Sequence, residues 1–387
     1  MHFWLTLLIF LTYTFSPISQ TQVDINNLGV DYQFGQKITF HAWITSQDPV
    51  QDVYIFIKPD GQETRVESAN LDILGKAEYS VDLNQKPLQP FTQVVYWFRA
   101  NLPDGTQVES NKANFVYEDN RFTWQKLEED GFQLNWVEGD LSFGQAALNT
   151  AKEAKTSAAK YLPVNLPQPL KVYIYPRSTD LQKALQLGQF PWIAGHASTA
   201  LGTILVSIPP GSDQQLEMER QIPHELMHIL EYQASPEAYQ RLPTWLTEGM
   251  ASLAEVYPNP DYQRSLTKAS ENNTLIQIKF LCTGFSREAS SAFLSYAESN
   301  SFVRFLYQKY GSSGLQNLMN KYQDGLGCEE GVLSAFGVPL EQLEYRWKQE
   351  ALGINVTLLA WKNLSPYLIL SLLLLIPPLA LSLRRKP

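Results

Sequence analysis

The chain has little cysteine, little histidine and little charge. Its 387 residues include two cysteines and five histidines, and 18% of them are charged. A small scaffold held by several disulfides is therefore excluded. Acidic residues outnumber basic ones by 39 to 30, which gives a net charge of −9 at pH 7. This excess of negative charge argues against a nucleic-acid partner.

Aromatic content and length indicate a packed protein of more than one domain. Aromatic side chains make up 12% of the chain, which is typical of a globular protein rather than a disordered one. A length of 387 residues allows two domains, each with its own core. We expect one domain over residues 22–118 and a larger one over residues 130–352.

Short alternating segments predict that residues 22–118 form an all-β domain. They are separated by turn signals and recur at similar spacing, as Ile38–Ile44, Asp52–Ile57, Ala77–Leu83 and Val94–Ala100. This pattern favours an immunoglobulin-like or fibronectin-like sandwich. Because the segment contains no cysteine, an inter-sheet disulfide is excluded. No chemical motif falls here, so we expect a spacing role or the binding of a protein partner.

One motif carries chemistry, the H-E-x-x-H sequence from His224 to His228. Residues four apart share one face of an α-helix, so His224 and His228 can offer two imidazole nitrogens to one metal ion. Glu225 can then reach a water on that metal without binding the metal itself. The competing interpretation is an ordinary amphipathic helix with two surface or capping histidines. Pro223 is expected to kink or restart the helix.

A glutamate downstream favours the metal site over that alternative. Glu248 lies on a second apolar-periodic segment, and nineteen residues separate it from His228. Pro236 and Pro243 interrupt the chain between them, so the second helix can turn back toward the first. Two histidines and one glutamate form a known catalytic zinc set that leaves a fourth position open. We therefore predict that Zn²⁺ binds to His224, His228 and Glu248.

The two motifs together resemble those of the gluzincin zinc metallopeptidases, the superfamily that contains thermolysin-type and peptidase MA-like proteins. H-E-L-M-H followed by W-L-T-E-G-M-A carries the resemblance, which covers roughly residues 130–350. It implies an α+β metallopeptidase domain that hydrolyses peptide bonds in a peptide or protein substrate. It also implies that His224, His228 and Glu248 hold zinc, and that Glu225 is the general base for a zinc-activated water.

The resemblance implies further site residues outside the two motifs. Tyr296 lies on a segment that looks like the oxyanion-stabilising helix of peptidase MA-like proteins, and its alternative is to pack in the core. His196 is a weaker candidate for the same role. Ser252 stands where the thermolysin pattern has an aspartate that orients a histidine. Either a carboxylate such as Glu255 or Glu231 replaces that aspartate, or the site is less tightly tuned.

Sequence pattern also indicates the elements around the motifs. Thr199–Ile208 is predicted to be a strand, and Ala200–Val206 within it is similar in position to the edge strand that binds extended substrates in gluzincins. An ordinary edge strand is the equal alternative. The chain after Glu248 is expected to be helical. Cys282 and Cys328 either pair with each other or remain free thiols.

Both ends of the chain are apolar. Residues 3–15 have the length of the apolar part of a signal peptide, so residues 1–21 are expected to be a signal peptide rather than a buried helix. Residues 364–383 are long and apolar enough for a transmembrane helix, and the basic tail over 384–387 places the C-terminus in the cytoplasm. We expect a single-pass protein of the cell membrane with extracytoplasmic N-terminal domains. The alternative is a cleaved lipid-anchor signal.

The expected function is therefore that of a membrane-anchored, outward-facing zinc metallopeptidase. One alternative is a catalytically silent, zinc-containing ectodomain with a binding or adhesion role through its β-domain. A second is a zinc hydrolase that acts on non-peptide amides. The intact Glu225 favours an enzyme, because a structural zinc site does not need a general base.

Overall fold

The computed structural model describes residues 23–186, 195–354, 361 and 364–374. The chain divides into two units, one that ends at Asn120 and one that begins at Arg121. The predicted signal peptide over residues 1–21 and the predicted basic tail over 384–387 both lie outside the described residues.

The N-terminal unit is built from antiparallel β-strands. The strands are β1 (Val23–Gln33), β2 (Lys37–Ser46), β3 (Asp52–Pro59), β4 (Arg65–Leu71), β5 (Lys76–Asp82), β6 (Gln93–Asn101), β7 (Gln107–Glu109) and β8 (Ala113–Val116). They are hydrogen-bonded in the order β1-β2-β5-β4-β3-β6-β7, and β8 pairs with β6. The β-rich character agrees with the prediction, and the immunoglobulin-like class stays a prediction.

Alternate side chains of these strands form the core of the N-terminal unit. Along β2 the buried residues are Ile38, Phe40, Ala42 and Ile44, because successive side chains of a strand point to opposite faces. Phe40 contacts Tyr96 of β6 with ring centroids 5.0 Å apart, so β2 and β6 face each other across the core. β4 links the two layers, because it pairs first with β3 and then with β5.

A mixed sheet begins the C-terminal unit. Its strands are β9 (Gln125–Glu129), β10 (Phe132–Trp136), β11 (Leu170–Tyr175), β12 (Gly195–Ser198) and β13 (Thr203–Ser207), in the order β12-β13-β11-β10-β9. β10, β11 and β13 are parallel, whereas β9 and β12 pair antiparallel at the two ends. The helix α1 (Leu141–Ala158) connects β10 to β11, since parallel neighbours need a crossover.

The predicted edge strand over Ala200–Val206 is wrong. Thr199–Leu201 forms a short 3₁₀ turn, and Gly202 follows in a left-handed conformation with φ of 58°. Glycine adopts this conformation without steric cost, so the chain reverses here and lays β12 antiparallel on β13. β13 is thereby paired on both sides, with β12 and β11. Among the described strands, β12 is therefore the edge on this side of the sheet, and β9 is the other edge.

Helices form most of the remaining chain. They are α2 (Ser178–Ala184), α3 (Gln214–Ala234), α4 (Thr244–Ala254), α5 (Asp261–Glu271), α6 (Ala289–Gln323), α7 (Cys328–Phe336) and α8 (Leu340–Glu350). The helical C-terminal half agrees with the expectation. Helix α6 is interrupted at Gly311, where φ of 67° and ψ of −173° are not helical. Buried Phe302 packs edge to face against Trp245 and Trp347, which joins α6 to α4 and α8.

Cys282 and Cys328 are joined in a disulfide, which decides between the two alternatives that the sequence left open. The bond closes a sequence separation of 46 residues. Both cysteines also contact the first turn of α4. The Thr244 amide donates a hydrogen bond to the Cys282 carbonyl at 3.2 Å, and the Trp245 indole Nε1 donates to Cys328 Sγ at 3.4 Å. The disulfide therefore anchors the beginning of α4.

The predicted transmembrane helix over residues 364–383 is wrong, and so is the fold class that included it. The described part of this stretch is a helix over 364–374, and residues 375–383 lie outside the described residues. No helix within the described ranges combines the length and the apolar character that crossing a membrane requires. The predicted membrane partner and the predicted single-pass location in the cell membrane depended on this helix and are therefore not supported either. The described fold is a β-rich domain followed by an α+β domain.

Candidate metal centre

Helix α3 carries the H-E-x-x-H motif without a break. It runs through Pro223, although proline lacks the N–H that would bond the carbonyl of Glu219 one turn earlier. That carbonyl instead accepts the amide of Val256 at 3.0 Å. The helix therefore does not restart at Pro223, and the expected kink stays a prediction. The proline frees a carbonyl that holds the segment directly after α4 against α3.

Two helices bring the three predicted ligands together. His224 and His228 lie on α3, and Glu248 lies on α4. Glu248 Oε2 is 3.4 Å from His224 Nε2 and 3.7 Å from His228 Nε2. One ligand atom from each residue can be chosen so that all three lie within 4.8 Å of one another. This is the geometry of a group that can hold one ion.

Both histidines are oriented by buried carboxylates. Glu255 Oε1 lies 3.0 Å from His224 Nδ1, and Glu231 Oε2 lies 3.0 Å from His228 Nδ1. With Nδ1 occupied, each ring presents Nε2 toward Glu248. The sequence proposed either of these carboxylates as a substitute, and the structure uses both. Among the described residues neither histidine bonds to Ser252.

The protonation of the centre follows from its burial and its carboxylates. Burial alone would lower the pKa of His224, but Glu248 and Glu255 outweigh it and raise that pKa to about 10. The pKa of His228 is also raised, because nearby groups that include Tyr239, Glu248 and Glu231 outweigh its burial. Burial opposes ionisation of Glu248, yet His228 and His224 hold its pKa below the ordinary value. The centre is therefore stabilised by positive charge beside the Glu248 carboxylate. A divalent cation would supply that charge in place of protons on the two histidines.

The donor set fits zinc. Two imidazole nitrogens and one carboxylate oxygen are the protein ligands of a known class of catalytic zinc site, in which a fourth position stays open. Both buried carboxylates behind the histidines retain an oxygen without a hydrogen bond among the described residues, Glu231 Oε1 and Glu255 Oε2. A cation on the other side of the imidazoles would stabilise these incompletely bonded carboxylates.

Strand β12 places two further groups beside the centre. An added Cβ at Gly195 would overlap the carboxylate of Glu225, so the strand backbone lies directly against that residue. Glu225 is buried, and burial raises its pKa above the ordinary value. His196 follows Gly195 on the strand, and burial together with nearby His228 lowers its pKa to about 4. The imidazole of His196 is therefore neutral at pH 7.

A tyrosine that the sequence predicted and one that it missed lie at this centre. The ring of Tyr296, on α6, is 6.5 Å from the ring of His224. Tyr239, in the 3₁₀ turn between α3 and α4, is partly buried, and its pKa is raised by desolvation and by carboxylates that include Glu231. Tyr239 was missed because it belongs to no motif: it lies in the loop between Pro236 and Pro243, where a tyrosine has no distinctive sequence pattern.

A cavity of about 280 Å³ opens beside His224 and Glu225. Apolar side chains from α5 and α6 line much of it, among them Phe293. Its lining also includes Arg220, which the sequence did not indicate as a functional residue. The cavity therefore adjoins the candidate metal centre.

The chain belongs to the Peptidase MA superfamily, whose family model matches residues 150–353. That range contains α3, α4 and α6, and hence the whole of the centre described above. The predicted resemblance to the gluzincin metallopeptidases and the predicted enzyme class, a zinc metallopeptidase, are confirmed by this membership. Peptides or proteins are accordingly its class of substrate.

Solved structures give distant likenesses. An M1 zinc metallopeptidase variant from Deinococcus radiodurans is 11% identical, with 85% of this chain and 95% of that one covered and a TM-score of 0.38. An aminopeptidase N family protein from Idiomarina loihiensis is 10% identical, with 87% and 74% covered and a TM-score of 0.37. At these scores the likenesses carry no argument about function. No curated protein matches the sequence.

Proposed function

We propose that the chain is a zinc-dependent peptidase in which His224, His228 and Glu248 hold the metal and Glu225 is the general base. The observation that carries this proposal is the convergence of the three donor groups within 4.8 Å. The carboxylates behind both imidazoles support it, because they direct Nε2 of each ring to one point. When bound, zinc supplies a Lewis acid that polarises the scissile carbonyl and lowers the pKa of water.

Glu225 moves the proton. As a water oxygen bonds to the carbonyl carbon, the Glu225 carboxylate accepts a proton from that water. It then gives the proton to the amine nitrogen as the carbon–nitrogen bond breaks, so the carboxylate is regenerated. Burial raises the pKa of Glu225, and nearby His224 and His228 oppose this shift. The contact with Gly195 restricts where this carboxylate can lie.

Tyr296 and β12 complete the proposed site. The Tyr296 hydroxyl donates a hydrogen bond to the oxygen that becomes negative during attack. Burial and the charges of Glu248 and Glu225 raise the pKa of Tyr296, so this hydroxyl keeps its proton. An extended substrate pairs with β12, whose outer side has no partner among the described strands. This pairing lays the peptide across Glu225.

A matched pair of full-length proteins tests the proposal, wild type and Glu225→Gln. Both should bind one zinc per chain, and only wild type should cleave a mixed peptide library in a chelator-sensitive manner. The expected loss in kcat is about 100- to 10,000-fold. Glu248→Gln serves as the ligand control and should lower zinc content.

Each other outcome points to a different conclusion. Zinc in both proteins with cleavage in neither contradicts the peptidase and favours a silent protein that acts through its β-domain. Absence of zinc from wild type contradicts the ligand assignment. Acyl amides without a peptide bond, added to the library, distinguish a peptidase from a hydrolase of other amides.

A further inference from the structure

Among the described residues that line the cavity beside the metal centre, Arg220 is the one arginine or lysine. Arg220 lies on α3 one turn before His224, and residues 220, 224 and 228 share one face of the helix. Four residues of helix correspond to about 6 Å along the axis. A substrate group bound at Arg220 would therefore lie one or two residues from a peptide bond at the centre.

Arg220 has hydrogen-bonding capacity that the protein leaves unused. A guanidinium group has five N–H donors. Among the described residues its one hydrogen bond runs from Nη1 to Glu217 Oε1 at 3.2 Å, which leaves the donors of Nη2 unused, whereas the unpartnered Nε is buried. A single ion pair of this kind, with both side chains partly exposed, contributes little to stability. The pairing with Glu217 therefore does not by itself explain an arginine in the cavity wall.

The polar neighbours of Arg220 are engaged elsewhere. The Gln221 amide bonds to the backbone of Ser207 and to Glu217. Glu255 bonds to His224. Neither side chain bonds to Arg220, and no other residue lining the cavity forms a hydrogen bond with it among the described residues. Apolar side chains such as Phe293 line the rest, and charge–charge attraction is stronger beside such a wall than in water.

We propose that Arg220 binds a carboxylate of the substrate, so that the enzyme selects peptides with an acidic group next to the scissile bond. That group is either an acidic side chain or the C-terminal carboxylate of the peptide. This inference rests on the proposed function of the same centre. The planar guanidinium of arginine can donate two parallel N–H···O hydrogen bonds to one carboxylate, whereas the ammonium group of lysine acts as a point charge.

Two acidic residues in the cavity lining sharpen this selection. Glu225 and Glu255 are both acidic and line the same cavity. They repel a carboxylate that Arg220 does not hold. Loss of Arg220 should therefore turn a preference for acidic groups into discrimination against them, whereas a merely structural arginine would change stability without changing the order of preference.

Peptide binding to full-length, zinc-loaded Glu225→Gln provides a test without turnover. The probes are labelled, C-terminally amidated hexapeptides that carry Glu, Gln or Lys at each position in turn. A neutral hexapeptide with a free or an amidated C-terminus distinguishes the second source of the carboxylate. We expect one acidic probe to bind roughly 10- to 100-fold more tightly than its Gln counterpart, with the Lys probe weakest.

Variants of Arg220 in the same background decide the assignment. Arg220→Gln should abolish the preference or reverse it, Arg220→Glu should favour the Lys probe, and Arg220→Lys should retain a weaker preference. Arg264→Gln is the matched control, because Arg264 is an exposed α5 residue paired with Asp261 and should leave the preference unchanged. Thermal denaturation of each variant checks that it is folded.

Failure of the inference can be separated from failure of the proposed function. If wild type cleaves peptides but acidic and neutral probes bind equally, or if Arg220→Gln keeps the preference, the inference is wrong and the peptidase stands. If acidic probes bind through Arg220 but wild type cleaves none of them, the inference stands as a binding site and the proposed catalysis is wrong.

Discussion

The two halves of the metal centre are held in place in different ways. On α3, His228 is oriented by Glu231 three residues further along the same helix. The other half comes from α4 and the residue after it, where Glu248 and Glu255 reach α3 from more than twenty residues away. The first half needs only a helix, whereas the second needs the whole packing of the C-terminal unit.

Several contacts support the distant half. The Val256 amide bonds to the carbonyl that Pro223 frees on α3. The first turn of α4 is held by Cys282 and Cys328. The segment before Cys282 is held in turn by buried carboxyl groups, since Ile276 N donates to Glu298 and Ile278 N donates to Glu344. Weakening any of these contacts should loosen Glu248 and Glu255 before it affects His228.

Removal of the disulfide should have the largest effect. A double variant, Cys282→Ala with Cys328→Ala, should lower the free energy of unfolding by up to about 4 kcal/mol, because the cross-link constrains a long loop of the unfolded chain. Zinc affinity should fall with it as α4 loses its anchor. Hydrogen exchange should show faster opening of α4 than of α3. Equal acceleration in both helices would contradict the separation of the two halves.

A change of pH should weaken the same support through Glu298. Burial raises the pKa of Glu298 from 4.5 to about 8, so the folded protein keeps this carboxyl group protonated while the unfolded chain ionises it. Stability should consequently fall as pH rises from about 4.5 to 8, by a few kcal/mol at about 1.4 per pKa unit. Glu298→Gln cannot ionise and retains an acceptor for Ile276.

Urea unfolding at several pH values compares wild type with Glu298→Gln. The variant should gain stability over wild type as pH increases, because the other titrating groups are common to both proteins. Glu271→Gln, at an exposed position on α5, is the control and should follow wild type. Parallel curves for wild type and Glu298→Gln would show that Glu298 ionises normally in the fold.

The sequence predicts the local half of the centre better than the distant half. H-E-x-x-H spacing is sufficient to align His224 and His228, and the glutamate of the second motif indicates Glu248. The sequence could name Glu255 only as an alternative to Glu231. The approach of Glu255 to His224 depends on the hydrogen bond between the Val256 amide and α3, which the sequence does not show.

Errors of prediction also follow from long-range structure. The edge strand was predicted at the wrong place because Gly202, in a left-handed conformation, interrupts the segment predicted to be one strand. The chain reverses there, and β12 pairs with the outer side of β13. Apolar content alone suggested a transmembrane helix over 364–383, which no described helix forms. Arg220 was missed because nothing in its sequence neighbourhood shows that it borders a cavity.

The carboxylates behind the two histidines should have intermediate effects. Glu255→Gln and Glu231→Gln should each weaken zinc binding by about 10- to 100-fold, since either change removes the charge that orients an imidazole. Competition with a chelator of known affinity measures this loss. Ser252→Ala is the control, because Ser252 does not bond to either histidine. A larger loss from Ser252→Ala than from Glu255→Gln would mean that the thermolysin-like arrangement operates here after all.

Pro223→Ala should have the smallest effect and would test the link between the halves most directly. Alanine restores an N–H that competes with Val256 for the Glu219 carbonyl, so Glu255 should be held less firmly and zinc affinity should fall by less than about tenfold. Thermal stability should not fall, because alanine suits a helix interior better than proline. Gln233→Ala, later on α3, also introduces alanine without touching that carbonyl and should leave zinc affinity unchanged. Combined with Glu255→Gln, the proline change should weaken zinc binding no further, since both act through one contact; a full additive loss would mean that Pro223 supports the centre by some route other than Glu255.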